Sequence, residues 1–271
     1  MVDRYQDVPH NNNGKVARLS LKYDQTDPPV CIHRGAGVIV FSIDPCDGRI
    51  FFLLSRERRW QSCTKFVLSG FEGRSKPGEV PMETAAREFA EESLGVVTEM
   101  PHREAAMDTL GGSQYLCKIR MVVETDNMEK MAYTSFVKQI KYDPSIPKRF
   151  SNLRRRLRCL RAISNINDPR LRSFESLKFF RDHPDIGDFP GLVNKSTDQI
   201  GGIVEAHVNP DFLEKDSVSF IQDCHVEKHL KNSSSRMKPY IRPAMLIALR
   251  EVQAFARGVT PLREAVIDIP S

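Results

Sequence analysis

The sequence predicts an α/β fold in which a small mixed β-sheet lies between helices. Three observations favour this class. Strand-like apolar runs precede residues 73–96, which carry a strongly patterned helix, and two further strand-like runs follow them. A second apolar helix is indicated close to the C-terminus, at residues 243–257. Strands on both sides of one helix, with another helix after them, favour a layered sheet over a helical bundle.

Length and composition are those of a globular protein. The chain has 271 residues, of which 40% are hydrophobic and 28% charged, enough for one large domain or two small ones. It contains no apolar run of about 18 residues and no apolar signal core, so we expect no membrane contact. The six cysteines show no metal-binding spacing, which is typical of reduced thiols in a cytoplasmic or nuclear protein.

The N-terminal third of the chain predicts a tail and then three strands. Residues 1–28 are polar and predict a tail, with a short strand at residues 17–22. Apolar runs at residues 35–41 and 49–55 flank a turn-forming Pro-Cys-Asp-Gly sequence, which predicts a β-hairpin. Residues 65–68 form a further short strand that leads the chain into the patterned helix.

Residues 73–96 place acidic side chains on one face of a helix. Glu88, Glu91 and Glu92 lie at i, i+3 and i+4, so their carboxylates share a face. The opposite face is apolar and able to enter a core; it consists of Met82, Ala86, Phe89, Ala90 and Leu94. Three like charges directed at one place are unfavourable unless a cation neutralises them, and hard divalent cations prefer oxygen ligands.

This spacing resembles the signature of the Nudix hydrolases, G-x5-E-x7-R-E-U-x-E-E-x-G-U, in which U is a bulky aliphatic or aromatic residue. The matching positions are Gly73, Glu79, Arg87, Glu88, Phe89, Glu91 and Glu92. The last glycine stands one position late, at Gly95 after Leu94, which predicts a helix lengthened by one residue. The common Pro-Gly-Gly before the signature is replaced by residues 68–73, so the approach loop is expected to be longer.

The resemblance implies an αβα sandwich of the Nudix fold and a metal-dependent pyrophosphohydrolase. It implies Glu88, Glu91 and Glu92 as ligands of Mg²⁺ or Mn²⁺, with Glu91 or Glu92 also accepting a proton from the attacking water. Gly73, Glu79 and Arg87 are the structural residues of the signature, and a buried Glu79–Arg87 pair is expected to fix the loop to the helix. Some members of the family recruit a further acidic residue as general base. Glu205 is the candidate here, with Glu72 and Glu124 as alternatives.

Basic residues after the second strand are candidates for substrate contact. In the Nudix fold, positions such as Arg56, Arg58 and Arg59 border the substrate cleft, so they either contact phosphate or belong to a solvated loop. Trp60 is the only tryptophan and is expected to anchor the core rather than to stack on a base. After the helix, residues 114–124 and 134–142 predict two more strands.

Residues 144–195 interrupt this pattern and predict a helical insertion. Apolar residues recur there at helical spacing, at Phe150, Leu153, Leu157 and Leu160. Residues 148–172 have a net charge of +8, more than the +5 of the whole chain, from nine basic residues against Asp168 alone. The basic residues are Lys148, Arg149, Arg154, Arg155, Arg156, Arg158, Arg161, Arg170 and Arg172. Arginine favours bidentate phosphate contacts, so this segment predicts an RNA or polyphosphate surface, with a lid, a localisation signal or a solvated helix as alternatives.

The remaining residues complete the predicted domain. The tail comprises residues 1–28, the first part of the Nudix domain residues 29–143, the insertion residues 144–195, and the second part residues 196–271. Residues 203–210 resemble a later Nudix strand, although Val208 replaces its usual tryptophan, and we expect them to rejoin the sheet. Residues 228–238 are expected to be a solvated basic loop. The helix at residues 243–257 is expected to pack on the sheet face opposite the signature helix.

Three hypotheses for function remain after the sequence analysis. The first is hydrolysis of the 5′ cap of RNA, because the organisation is similar to that of the Nudix decapping enzymes of large DNA viruses; a viral enzyme would act in the host cytoplasm. The second is hydrolysis of a small nucleoside or inositol polyphosphate. The third is a non-catalytic binding module, which the intact Arg-Glu-Phe-Ala-Glu-Glu sequence disfavours.

Overall fold

The computed structural model describes residues 8–9, 16–17, 31–58, 66–97, 107, 115–124, 129–188, 193–197, 204–208, 213–231, 237 and 241–269. The strands are β1 (Val8–Pro9), β2 (Val16–Ala17), β3 (Ile32–Ile43), β4 (Ile50–Arg58), β5 (Phe66–Ser69), β6 (Phe71–Arg74), β7 (Cys117–Glu124), β8 (Lys130–Gln139), β9 (Val193–Thr197), β10 (Val204–Val208), β11 (Lys215–Gln222) and β12 (Glu264–Ile269). The helices are α1 (Pro81–Ser93), α2 (Ile146–Ser164), α3 (Pro169–Asp182), α4 (Asp223–Lys231) and α5 (Arg242–Ala256), and a 3-10 helix spans Pro184–Asp188.

One mixed sheet of eight strands forms the centre of the described fold. Its order is β11-β4-β3-β8-β7-β12, and β5 and β6 pair with β4 and β3 respectively. The pairs β3–β8 and β7–β12 are parallel, and the other pairs are antiparallel. The predicted mixed α/β class is therefore confirmed. The edge strand β12 was not predicted, because its six residues carry no turn signal that separates them from the end of the chain.

The sheet opens between β3 and β4 at the point where the signature begins. These strands pair only through residues 40–43 and 50–53. Beyond that stretch β6 pairs with residues 35–38 of β3, and β5 pairs with residues 55–58 of β4. The β5–β6 segment thus enters the gap and carries Gly73 to the face of the sheet that α1 covers.

Helices cover both faces of the sheet, because β3 is apolar on both sides. Val38 and Val40 face one cluster with α1, whereas Ile39 and Phe41 face the other with α5. The predicted αβα sandwich is therefore confirmed, including the position of α5 opposite α1. Within the described ranges no helix combines the length and the apolar character needed to span a membrane.

The insertion shares the core of the signature helix. Phe150 and Leu157 of α2 are fully buried and belong to the same cluster as Phe89 of α1. Phe179 of α3 is buried in this cluster as well. The α2–α3 segment is therefore an integral layer on the α1 side of the sheet.

The strand predicted at residues 203–210 does not rejoin the main sheet. Instead β10 pairs with β9 in a separate antiparallel hairpin, and β11 is the strand that returns to the sheet beside β4. The expectation rested on the resemblance to a Nudix strand, and it is wrong because a strand-like sequence does not identify the partner of the strand. The expected boundary between residues 195 and 196 falls inside β9. Residues 228–231 belong to α4 and not to a loop.

The end of α1 also differs from expectation. The helix ends at Ser93, and Leu94 already has a left-handed conformation with φ of 55°. Gly95 follows with φ of 66°, so the predicted lengthening of the helix is wrong. A left-handed leucine costs about 1–2 kcal/mol. Full burial of the Leu94 side chain in the α1 core offsets this cost.

Replacing Phe150 tests whether the insertion is part of one cooperative unit. We expect Phe150→Ala to lower the free energy of unfolding by about 3–5 kcal/mol, because it leaves a cavity in the core shared with α1. The matched control is Phe174→Ala on α3, whose side chain is 62% exposed and whose loss should change stability by less than about 0.5 kcal/mol. Urea unfolding followed by circular dichroism measures both. A main transition unchanged by Phe150→Ala would show that the insertion folds independently.

Candidate active site

Arg87 is the hub of the acidic site. Its Nε donates to Glu79 Oε1 at 2.7 Å, and its Nη2 donates to Glu79 Oε2 at 3.1 Å and to the carbonyl of Arg74 at 2.7 Å. Its Nη1 donates to Glu88 Oε1 at 2.7 Å and to Glu91 Oε2 at 3.1 Å. These contacts match the five N–H donors of a guanidinium. One buried cation thereby holds three carboxylates and the end of β6 together.

Glu79 fixes the loop before α1. Besides the two contacts with Arg87, its carboxylate accepts from the backbone N–H of Lys76 at 2.8 Å and from the hydroxyl of Thr84 at 3.0 Å. The hydrogen bond from Arg87 is the main cause that lowers the pKa of Glu79 from 4.5 to about 2. Glu79 is therefore ionised at all physiological pH values, and its role is to join the loop to the helix.

Gly73 provides the space in which the Glu88 carboxylate lies. A Cβ atom at this position would come within 2.1 Å of Glu88 Cδ and Oε1, so any other residue would force the Glu88 carboxylate out of its place. Burial raises the pKa of Glu88, while Arg87 acts in the opposite direction and the charges of Glu91 and Glu214 raise it further. Glycine at the start of the signature thus has a steric reason, since the acidic helix lies directly on β6.

Glu92 is buried and held by two donors. Its Oε2 accepts from the backbone N–H of Glu72 at 2.6 Å, and its Oε1 lies 2.7 Å from Nζ of Lys215. Burial raises the pKa of Glu92, although Lys215 acts in the opposite direction. Both oxygens of this carboxylate therefore have fixed directions.

Lys215 is a site residue that the sequence analysis missed. It begins β11, is 1% exposed, and also lies 2.6 Å from Glu57 Oε2 and 3.2 Å from Ser69 Oγ. Burial alone would lower the pKa of Lys215, but the charges of Glu92 and Glu57 raise it overall. Lys215 and Glu57 are 158 positions apart, and no motif spacing connects them. The only sequence feature that could have indicated Lys215 is the run of three adjacent charged residues, 214–216, at the start of a strand.

The chemistry of the donors fits a hard divalent cation. Glu88, Glu91 and Glu92 offer carboxylate oxygens, which Mg²⁺ and Mn²⁺ prefer. Across the described ranges, however, no group of three or more acidic, histidine or cysteine side chains is close enough to hold a metal ion. The carboxylates are directed towards Arg87 and Lys215 instead. Metal binding therefore requires these side chains to turn or to share their remaining lone pairs.

The other acidic and basic residues predicted for the site lie on β4, β7 and β10 or outside the described ranges. Glu205 is on β10 in the separate hairpin, and its side chain lies outside the described residues, as do those of Glu124 and Arg58. Arg56 is half-buried on β4. Residues 59–60 lie outside the described ranges. The role of Glu205 as a base remains a prediction, whereas Glu214, which sequence analysis did not select, lies close enough to influence Glu88.

The basic residues of α2 have different surroundings. Lys148, Arg149, Arg155, Arg158 and Arg161 are exposed. Arg156 pairs with Asp185 at 2.7 Å. The exposed residues form a cationic surface, which we call the α2 basic face.

Arg154 does not belong to the α2 basic face. It is buried, its Nε donates to the carbonyl of Lys215, and its Nη2 pairs with Asp216. Its predicted contact with RNA conflicts with this position, because both polar ends of the guanidinium bind β11. A helix turns by about 100° per residue, so adjacent arginines point in different directions. Charge alone does not reveal which of them faces the core.

No model of a known protein family matches this chain, and no curated protein matches it either. Solved structures with some similarity do exist. They include a Caenorhabditis elegans Ap4A hydrolase binary complex, 12% identical over 84% of this chain and 98% of the other, with a TM-score of 0.37. The Nudix hydrolase RenU of Mycobacterium smegmatis is 18% identical over 41% of this chain, with a TM-score of 0.29.

A further similar structure is the NUDIX domain of Shewanella oneidensis NrtR complexed with ADP ribose. It is 15% identical over 45% of this chain and 68% of that domain, with a TM-score of 0.26. The matched part of RenU is 63% of its length. Since these TM-scores lie below 0.5, the similarities carry no argument about function. The function has to be inferred from the residues of the site.

Replacing Glu79 tests the Glu79–Arg87 ion pair through the pH dependence of stability. Because the pKa of Glu79 is lowered, its contribution to stability is present above about pH 4.5 and is lost as the pH falls towards 2. We expect Glu79→Gln to lower the free energy of unfolding on the order of 2 kcal/mol at pH 7. The difference from the wild type should shrink between pH 5 and pH 2.

Chemical denaturation at a series of pH values measures this difference. The matched control is Glu227→Gln, which removes an exposed ion pair with Lys231 on α4 and should have a small effect at every pH. A constant difference between Glu79→Gln and the wild type down to pH 2 would contradict the ion-pair role of Glu79.

Proposed function

We propose that this protein is a metal-dependent Nudix pyrophosphohydrolase that cleaves a phosphoanhydride bond. The observation that carries the proposal is the assembly of the signature residues into one cluster. Glu79, Glu88 and Glu91 all contact Arg87, and the Glu88 carboxylate occupies the space that Gly73 leaves. On an ordinary charged surface helix these carboxylates would be exposed to solvent and not buried against β6 at Gly73.

Each residue of the cluster has a distinct part in the proposed reaction. Arg87 and Glu79 hold the loop and the helix in register, so that the acidic face is positioned before substrate binds. Glu88, Glu91 and Glu92 would hold Mg²⁺ or Mn²⁺. When bound, such an ion neutralises phosphate charge and makes a water molecule more acidic.

The attacking water must lose a proton while its oxygen displaces one phosphate from the other. Glu91 and Glu92, both in the cluster, are the acceptors proposed from the signature, with Glu205 from outside it. The bond that breaks joins a bridging oxygen to phosphorus, and the bridging oxygen leaves with the second phosphate.

We infer the 5′ cap of RNA as the substrate, because the α2 basic face begins beside the acidic cluster. Arg158 lies 3.8 Å from Asp216, the residue next to Lys215, and Lys215 contacts Glu92. Arg155 is exposed one turn before Arg158 on the same helix. A chain of phosphates that continues beyond the scissile bond along α2 would meet both of these cations.

Replacing the carboxylates tests the hydrolase itself. We expect Glu91→Gln and Glu92→Gln each to lower Mn²⁺-dependent hydrolysis of capped RNA by about 100-fold or more, since each removes a charged oxygen donor or proton acceptor. Glu227→Gln should leave the rate unchanged, because Glu227 lies on α4 at the opposite face of the sheet. Chromatographic detection of the released cap nucleoside diphosphate measures the rate. Full activity in both signature variants would overturn the assignment of these residues.

Removing two exposed arginines tests the RNA substrate. The double variant Arg155→Ala/Arg158→Ala should weaken binding of capped RNA and lower the slope of log affinity against log salt by about 1.4, since each phosphate contact contributes about 0.7 for a single strand. Hydrolysis of free cap analogue should not change. The control Lys228→Ala/Arg257→Ala removes two charges from α4 and the end of α5. Equal turnover of cap analogue and capped RNA, with no effect of either double variant, would favour a small polyphosphate substrate.

A further inference from the structure

We propose that Lys215 and Arg154 are positioning residues that couple the α2 layer to the carboxylate of Glu92 and set its affinity for a divalent cation. The inference rests on the proposed function, since it assigns Glu92 to the metal site. Neither residue belongs to the Nudix signature. The contacts run from α2 through the backbone of β11 to the acidic face of α1.

The ammonium group of Lys215 has a fixed position. It lies 2.7 Å from Glu92 Oε1, 2.6 Å from Glu57 Oε2 and 3.2 Å from Ser69 Oγ. These three acceptors match the three N–H donors of an ammonium. At 1% exposure Lys215 has no alternative partner in solvent. Glu92 is thus held in one orientation by a cation that belongs to the protein.

The backbone of Lys215 is held from the other side by Arg154. The pairing of β11 with β4 shifts register between Lys215 and Ser217, which is an irregularity of the kind that redirects side chains beside active sites. Arg154 binds the chain at this irregularity, because it donates to the carbonyl of Lys215 and pairs with the carboxylate of Asp216, the residue between Lys215 and Ser217. Arg154 is itself buried. The position of α2 therefore determines the position of the Lys215 ammonium.

A fixed cation beside a metal ligand has two opposing effects. It repels a divalent cation at the same carboxylate, so it lowers metal affinity. It also orients Glu92 and prevents the buried carboxylate of Glu92 and the half-buried carboxylate of Glu57 from repelling each other, so it supports turnover. Loss of the cation should therefore tighten metal binding and slow hydrolysis together. Loss of a purely structural residue would not raise the metal affinity while it lowers the rate of hydrolysis.

The test uses the full-length protein and Mn²⁺ alone as the probe. We expect Lys215→Met to bind Mn²⁺ about tenfold more tightly than the wild type, as follows from removing a unit charge a few ångströms away. Arg154→Ala should tighten binding about threefold, because the register irregularity loosens and the ammonium is less well fixed. Lys215→Arg keeps the charge and should bind Mn²⁺ like the wild type. Titration followed by the electron paramagnetic resonance signal of free Mn²⁺ measures the affinities.

Arg181→Ala is the control, because it removes an exposed arginine of α3 that has no place in the proposed binding surface. It should leave Mn²⁺ affinity unchanged. For capped RNA we expect Lys215→Met to lower kcat at saturating Mn²⁺ with little change in KM. Circular dichroism confirms that each variant is folded. If Lys215→Met does not fold, Arg154→Ala still decides.

Two negative outcomes are distinguishable. If the wild type binds Mn²⁺ but folded Lys215→Met and Arg154→Ala bind it equally well or more weakly, the coupling is wrong and the proposed function stands. If the wild type neither binds Mn²⁺ nor hydrolyses any phosphoanhydride substrate, the proposed function fails, and the inference fails with it.

Discussion

The guanidinium of Arg87 is the interaction on which the site depends. Glu79, Glu88 and Glu91 come together on one side of α1, and without a cation among them their charges would repel in a region of low dielectric constant. Arg87 offers a fork of donors whose geometry suits several carboxylates at once, which a lysine at this position would not provide. Its additional bond to the carbonyl of Arg74 joins the acidic helix to β6. This bond lies beside the place where the Glu88 carboxylate approaches Gly73.

The position of the insertion follows from apolar packing rather than from charge. Phe150 and Leu157 are buried with Phe89 in one cluster, so α2 is attached to the layer that holds the acidic site. A hinged lid would have to expose these side chains each time it opened, at a cost of about 1.5–3 kcal/mol for each one. This packing favours a fixed wall beside the cleft over a moving lid. The polar contact between Arg154 and β11 also holds α2 in this position.

The pattern of apolar residues along the sequence was enough to predict most of the fold, but it predicted less of the site. The apolar run around Val38 and Ile39 predicted β3, and the apolar face containing Phe89 predicted α1, because these patterns extend over several residues. The separate pairing of β9 and β10 was not predictable, since an edge strand reads the same whichever partner it has. Lys215 was not predictable for a different reason. A single ion pair between distant positions leaves no repeated pattern, and only the folded structure brings the ammonium to Glu92.

The three arginines at residues 154–156 show why a count of charges overestimates a binding surface. Successive helix positions point about 100° apart, so only Arg155 of the three is directed fully to solvent. Arg154 is neutralised by Asp216 and Arg156 by Asp185, both of which lie outside the charge run that suggested the surface. The cations that remain exposed on α2 are Lys148, Arg149, Arg155, Arg158 and Arg161. Five phosphate contacts would give a salt slope of at most about 3.5 for single-stranded RNA, whereas the nine basic residues counted from the sequence would give about 6. A slope near the smaller value is therefore what the folded protein permits, even if RNA covers the whole helix.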